Sequence, residues 1–249
     1  MTFRDHFSGV SEGYSRYRPR YPESLFVWLA AEAPARGLAW DCATGSGQAA
    51  AGLARHFRQV EATDASARQI ESAPQMPGVR YRVAPADASG LGPGSADLVT
   101  VAQALHWFDT EDFHAELARV LRADGLFAAW CYQLCRVEPS VDDLILALYR
   151  DVLGPYWPAE RRHIESGYET LRSPWPRLQT PSFRMEAAWE AADMLGYLAT
   201  WSAVQRCRRA TGEDPLSALV APLRRCWGPG RRQVVWPLSM LACRKPPED

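Results

Sequence analysis

Three acidic residues stand where short apolar runs give way to turns: Asp41 in Trp40-Asp41-Cys42, Asp64 in Ala62-Thr63-Asp64-Ala65, and Asp87 in Pro85-Ala86-Asp87-Ala88. Between the first two, Ala43-Thr44-Gly45-Ser46-Gly47-Gln48 joins a strand-like run to a helix-like one, and its glycines let the backbone approach a nucleoside closely. Gly45, Gly47 and Ala50 also satisfy G-x-G-x-x-A, the spacing of a dinucleotide turn. Asp41 separates the two readings. A carboxylate there repels a pyrophosphate but suits a ligand that carries an ammonium and a sulfonium and no phosphate. Asp64 lies about 17 residues beyond Gly47, near the distance at which an acid takes ribose hydroxyls. Asp87 can accept a hydrogen bond from the exocyclic amine of adenine. Any one of these features alone is a tight turn or a surface acid. Together, at successive strand ends, they describe a nucleoside site.

A second group follows the run Asp97 to Ala104. Gln103, near the end of that run, would contact the nucleoside, and His106 with Trp107 just beyond it would face a second reactant. An imidazole there can remove a proton from an acceptor, although a histidine beside an aromatic is more often structural. Arg206, Arg208, Arg209, Arg224, Arg225, Arg231 and Arg232 crowd the C-terminal helical segments; such residues usually solvate a helix face, and one or two can meet an anionic acceptor.

The elements that must hold these residues alternate. Strands are expected at Leu38 to Cys42, Val60 to Thr63, Tyr81 to Val83, Asp97 to Ala104 and Leu126 to Tyr132. Helices are expected at Ala49 to Phe57 and after Asp109 or Thr110, the latter closed by Gly125. This is the pattern of an α/β fold with a doubly wound, mostly parallel sheet, whose strand ends share one rim. From Arg136 the period is lost among prolines, with helical pieces such as Val141 to Leu153, which predicts an inserted helical lid over 136–182. A strand at Phe183 to Trp189, helices at Ala191 to Cys207 and Leu216 to Trp227, and a strand at Val234 to Cys243 complete a single domain over 1–249, with an N-terminal cap at 1–37, a cofactor-binding core at 38–135 and C-terminal elements at 183–249.

Composition removes other classes. A formal net charge of -1 gives no reason to hold a polyanion, so no nucleic acid is expected. No run is long and apolar enough for a membrane, and the first 25 residues are too charged for a secretory signal. The six cysteines lack the spacing of a metal site, so no metal is expected, and they read as buried thiols of a cytoplasmic protein.

The run Asp41-Cys42-Ala43-Thr44-Gly45-Ser46-Gly47, then Asp64, Asp87 and Ala102-Gln103-Ala104-Leu105-His106-Trp107-Phe108, resembles the class I S-adenosylmethionine-dependent methyltransferases, in particular the branch that includes trans-aconitate methyltransferases. The resemblance implies a seven-stranded Rossmann-like sheet whose last strand is antiparallel. It also implies S-adenosylmethionine as methyl donor and a small-molecule acceptor, a carboxylate among the classes allowed. By resemblance the donor is held by Asp41, Ala43, Thr44, Gly45, Gly47, Asp64, Ala65, Asp87, Ala88 and Gln103, under an N-terminal Y-x-x-x-R-P-x-Y-P cap that brings Tyr14 and Arg18. His106 and Trp107 then contact the acceptor, with His106 as the candidate catalytic residue. Ala43 departs from the pattern, standing where a glycine is usual. The expected assembly is a monomer or homodimer. Rival readings are a nicotinamide-dependent oxidoreductase and a non-catalytic S-adenosylmethionine-binding module.

Overall fold

The computed structural model describes residue 17 and residues 19–247, so the candidate residues Tyr14 and Arg18 lie outside the described residues. Helix α1 (Glu23–Glu32) leads into β1 (Leu38–Cys42), α2 (Gln48–Leu53), β2 (Gln59–Asp64), α3 (Ala67–Ser72), β3 (Val79–Val83) and β4 (Ala96–Ala102). A 3₁₀ turn at Leu105–Trp107 precedes α4 (Glu111–Val120) and β5 (Leu121–Tyr132). The insertion contributes α5 (Pro139–Ala147), a π-helical turn, a 3₁₀ turn and the short α6 (Arg161–Glu165). The chain then forms β6 (Phe183–Trp189), α7 (Ala191–Ala199), α8 (Ser202–Thr211), α9 (Ser217–Trp227) and β7 (Arg232–Arg244).

The seven strands run in the order β3-β2-β1-β4-β5-β7-β6. Strands β1 to β5 pair in parallel, whereas β7 is antiparallel to both β5 and β6. The chain leaves β1 toward one edge and returns to β4 on its other side, so the β1 and β4 ends flank the switch point where α/β sheets bind ligands. Alternation in the central strands divides the interior in two. Ala39, Leu98, Ala128 and Trp130 enter the core under α1, α2 and the C-terminal helices; Trp40, Val99, Val101, Phe127 and Ala129 enter the core under α4.

Local chemistry sets the start of α4. The Thr110 hydroxyl accepts from the Phe113 amide at 3.3 Å to start α4, and Phe113, Leu117 and Val120 recur on its buried face. The helix stops at Val120, not at Gly125. Residues 122–125 instead form an irregularity in which pairing with β4 jumps from Ala96/Leu121 to Leu98/Leu126, with Asp124 at φ 59°. Three other expectations shift. The helix after the glycine turn closes at Leu53, β4 ends at Ala102, and the single helix expected over Ala191 to Cys207 is two, broken at Thr200 and Trp201.

The insertion is no loose flap. Val141, Ile145, Leu148 and Leu153 are buried in the first core, while Ile164, Tyr168 and Leu171 are buried in the second. Residues 136–182 therefore cross the rim from one face of the sheet to the other. Among the described residues, no helix is long and apolar enough to cross a membrane.

Candidate active site

Asp41 and Thr100 are direct partners across the β1–β4 ladder. Asp41 is wholly buried, and its oxygens accept from the Thr44 hydroxyl at 2.6 Å and the Thr100 hydroxyl at 2.8 Å. Burial pushes its carboxyl up to about 6, and these two hydroxyls oppose the rise. Asp41 thus ties down the turn from below. Asp64 ties it from the side. Its two oxygens accept from the Gly45 and Ser66 amides, each at 2.9 Å, which fixes the carboxylate.

The turn itself is left-handed at Ala43 (φ 56°), Gly45 (φ 57°) and Gly47 (φ 83°). Glycine is needed at position 47 for a second reason: a Cβ there would run into the Tyr81 hydroxyl, which is buried and has no hydrogen-bond partner. The side-chain amide of Gln48 donates to the Pro19 carbonyl at 2.8 Å, binding the N-terminal segment to the turn.

Asp87 and Ala88 lie exposed beyond β3, where they line an open depression of about 470 Å³ with Asp112, Ala115, Glu116 and Arg119. The strand-end acids and Glu116 all make their charge felt at the buried Cys42 thiol. After burial, the charges of Asp41, Asp64 and Asp87, in that order, all push the Cys42 thiol upward. Ala65, partly buried, follows Asp64 on the same rim.

Gln103 is also left-handed, at φ 62°, with its amide donating to the Trp130 carbonyl at 2.8 Å. Its side-chain nitrogen is buried without a partner, as is the Trp130 indole nitrogen. Orphaned buried donors are rare in folded proteins and point to a missing acceptor. Two carboxylates anchored at the turn, a close-packed glycine and an orphan donor fit a cationic nucleoside that carries its own carboxylate.

His106 is buried in the turn after β4, with its ring centroid 4.8 Å from that of the partly buried Trp107. Its Nδ1 lies 3.0 Å from the Tyr168 hydroxyl of the insertion. Tyr168 is itself wholly buried, and the Leu105 and His106 amides favour its oxygen, so its proton is free to go to Nδ1. Burial, then the nearby Arg161 charge, holds the His106 ring down to about 3, so it is neutral at physiological pH. A neutral ring whose Nδ1 accepts from Tyr168 carries its remaining proton on Nε2.

No sequence signal marks Tyr168, 62 residues away in the chain from His106. Arg161 was equally hidden: partly buried, its guanidinium sits 4.7 Å from the Trp157 ring centroid and 5.4 Å from that of Tyr149. Of the C-terminal arginines, Arg208 pairs with Asp214, Arg232 with Glu138, and Arg206 donates to the Tyr156 carbonyl. Those three hold packing contacts.

The family model described as a methyltransferase domain matches residues 40–129, the stretch that holds all three acids. A Dictyostelium discoideum protein assigned by name to the methyltransferases is 31% identical over 229 residues, covering 90% of this chain and 87% of the relative. A Saccharomyces cerevisiae protein named as an S-adenosylmethionine-dependent methyltransferase is 30% identical over 183 residues, 66% of this chain and 61% of that protein. A solved structure from Anaeromyxobacter dehalogenans, described as a type II methyltransferase, superimposes with a TM-score of 0.88 at 49% identity, covering 93% of this chain and 99% of the other. With this sheet, this rim and these relatives, the chain belongs to the class I S-adenosylmethionine-dependent methyltransferases.

Proposed function

We propose that the chain transfers a methyl group from S-adenosylmethionine to a small-molecule carboxylate gathered beside His106. The observation that carries this reading is the glycine turn held between Asp41 and Asp64 on one side of the rim, with His106 bonded to Tyr168 on the other. When bound, the donor supplies a methyl group activated on a cationic sulfur. Asp64, held by two amides at the rim, is placed to take the ribose hydroxyls. Asp87 and Ala88 meet the adenine edge. Asp41 acts without contact: it locks Thr44 and places a negative charge under the turn, where low dielectric strengthens its pull on a cation. Gln103 directs its orphan N–H toward the donor's carboxylate.

His106 serves as a hydrogen-bond donor through Nε2, not as a base. A group held near 3 cannot usefully accept a proton at neutral pH, because effective bases titrate near the working pH. That favours an acceptor already ionised, and a carboxylate needs no deprotonation. Alignment of nucleophile and sulfonium in a dry site then supplies the acceleration. The insertion, crossing the rim between the two cores, is the element that excludes water.

The test is turnover of labelled donor against small carboxylates, phenols and amines. Transfer to a carboxylate supports the proposal, and transfer only to phenols or amines defeats it. Donor binding without transfer to any of them would favour the non-catalytic module.

A further inference from the structure

Arg161 stands out among the guanidinium groups near the rim. Its Nε donates to the Tyr149 hydroxyl at 2.9 Å, and that hydroxyl donates to Glu165 at 2.5 Å. Tyr149 and Trp157 are stacked beside each other with centroids 4.8 Å apart, and the Trp157 indole donates to the Tyr149 carbonyl at 3.1 Å. Trp201 braces both rings, at 5.9 Å from Tyr149 and 5.5 Å from Trp157. The guanidinium therefore rests on an aromatic platform that fixes one edge of the fork. Its terminal nitrogens meet no acceptor and no carboxylate among the described residues; Glu165, one helical turn away, takes the tyrosine hydroxyl instead.

Its position is fixed from several sides. Arg161 opens the helix that packs against the 3₁₀ turn bearing His106, and Tyr168 and Ile164 of the same segment are buried against the ends of β4 and β5. Its charge bears on His106, on Cys131 of β5 and on Tyr149. A rigid, unpaired cation at the acceptor end of the rim leaves a planar fork for a planar anion.

We propose that Arg161 is the residue that recognises the acceptor, its terminal nitrogens taking a carboxylate of that molecule in a two-point contact while His106 Nε2 donates to the same molecule. The proposal rests on the methyl-transfer reading above and adds the group that selects the substrate. It makes Arg161 a specificity residue on the insertion, separate from every contact to the donor.

The full chain, saturated with S-adenosylhomocysteine, is titrated calorimetrically with citrate, succinate, benzoate and the neutral benzamide. At least one carboxylate is expected to bind and benzamide is not. Arg161→Gln is expected to weaken that binding roughly ten- to a hundred-fold, as for loss of charge-assisted hydrogen bonds. Arg161→Lys should lose less, since lysine keeps the charge without the fork. Affinity for S-adenosylhomocysteine should be the same in all three proteins, and melting curves check that each is folded. Carboxylates that bind wild type and Arg161→Gln equally, or none that binds wild type, overturn the proposal alone. Failure of S-adenosylhomocysteine to bind overturns the methyl-transfer reading, and this inference with it.

Discussion

The two halves of the rim are built in opposite ways. At the β1–β3 end, Asp41 and Asp64 sit in the strands beside the glycine turn and are fixed largely by it: Asp41 by Thr44 with Thr100 behind, Asp64 by Gly45 and Ser66. At the β4–β5 end an imidazole, aromatic rings and a guanidinium are assembled across the chain, as His106 is by Tyr168 and Tyr149 by Arg161. The first half is a local, acidic cradle that sequence can encode in a short motif. The second is a composite surface that changes whenever the insertion changes.

Removing the acid of the cradle should have the largest effect. Asp64→Ala is expected to reduce S-adenosylhomocysteine affinity by at least ~100-fold, through loss of charged contacts to the ribose and release of the Gly45 amide. Calorimetry would check it; affinity within a few-fold of wild type would mean the acidic half does not hold the nucleoside.

Asp41 gives a pH-dependent test. Its carboxyl titrates at about 6 in the folded chain against 3.8 for the free side chain, so folding favours the protonated form. The corresponding stability is complete below pH 3.8 and is lost as pH rises through 6. Asp41→Asn should therefore stabilise the free chain at pH 8 by about 1–3 kcal/mol and do little at pH 4. Donor affinity should fall at the same time. Thermal melts at the two pH values decide it, and destabilisation at pH 8 would show that the buried charge is there to hold the turn together and not for a ligand.

Tyr168→Phe probes the composite half. It strips His106 Nδ1 of its donor and should lower methyl transfer roughly ten-fold, the worth of one misdirected hydrogen bond, while leaving S-adenosylhomocysteine affinity unchanged. Equal loss of donor binding would erase the proposed separation of the two halves.

The smallest effect is expected at Ala43. A Cβ at φ 56° is strained relative to glycine, so Ala43→Gly should add about 1 kcal/mol in urea denaturation. No gain would mean that the left-handed turn is relieved in solution.

The contrast also explains what could be read from the chain. The limits of β1 and β6 match their apolar runs, because strands bounded by a turn signal on both sides leave little choice of register. Asp41, Asp64 and Asp87 were legible because each ends a run. That Asp41 would be buried and act through Thr44 and Thr100 was not, since the ladder partner Thr100 lies 59 residues away. The role of Gly125 was misjudged because a glycine after an amphipathic run usually closes a helix, whereas here it lies in a strand irregularity. His106 was visible as a residue but not as a neutral donor, for its state is set by burial and by Tyr168 and Arg161, which come from the insertion.

The acidic half of the rim is expected to select a cationic nucleoside without phosphate. Titrating the unaltered chain with S-adenosylmethionine and, separately, with NADH tests it most directly. Saturable binding of S-adenosylmethionine with no response to NADH is the predicted result, and binding of NADH in preference to the sulfonium nucleoside would contradict it.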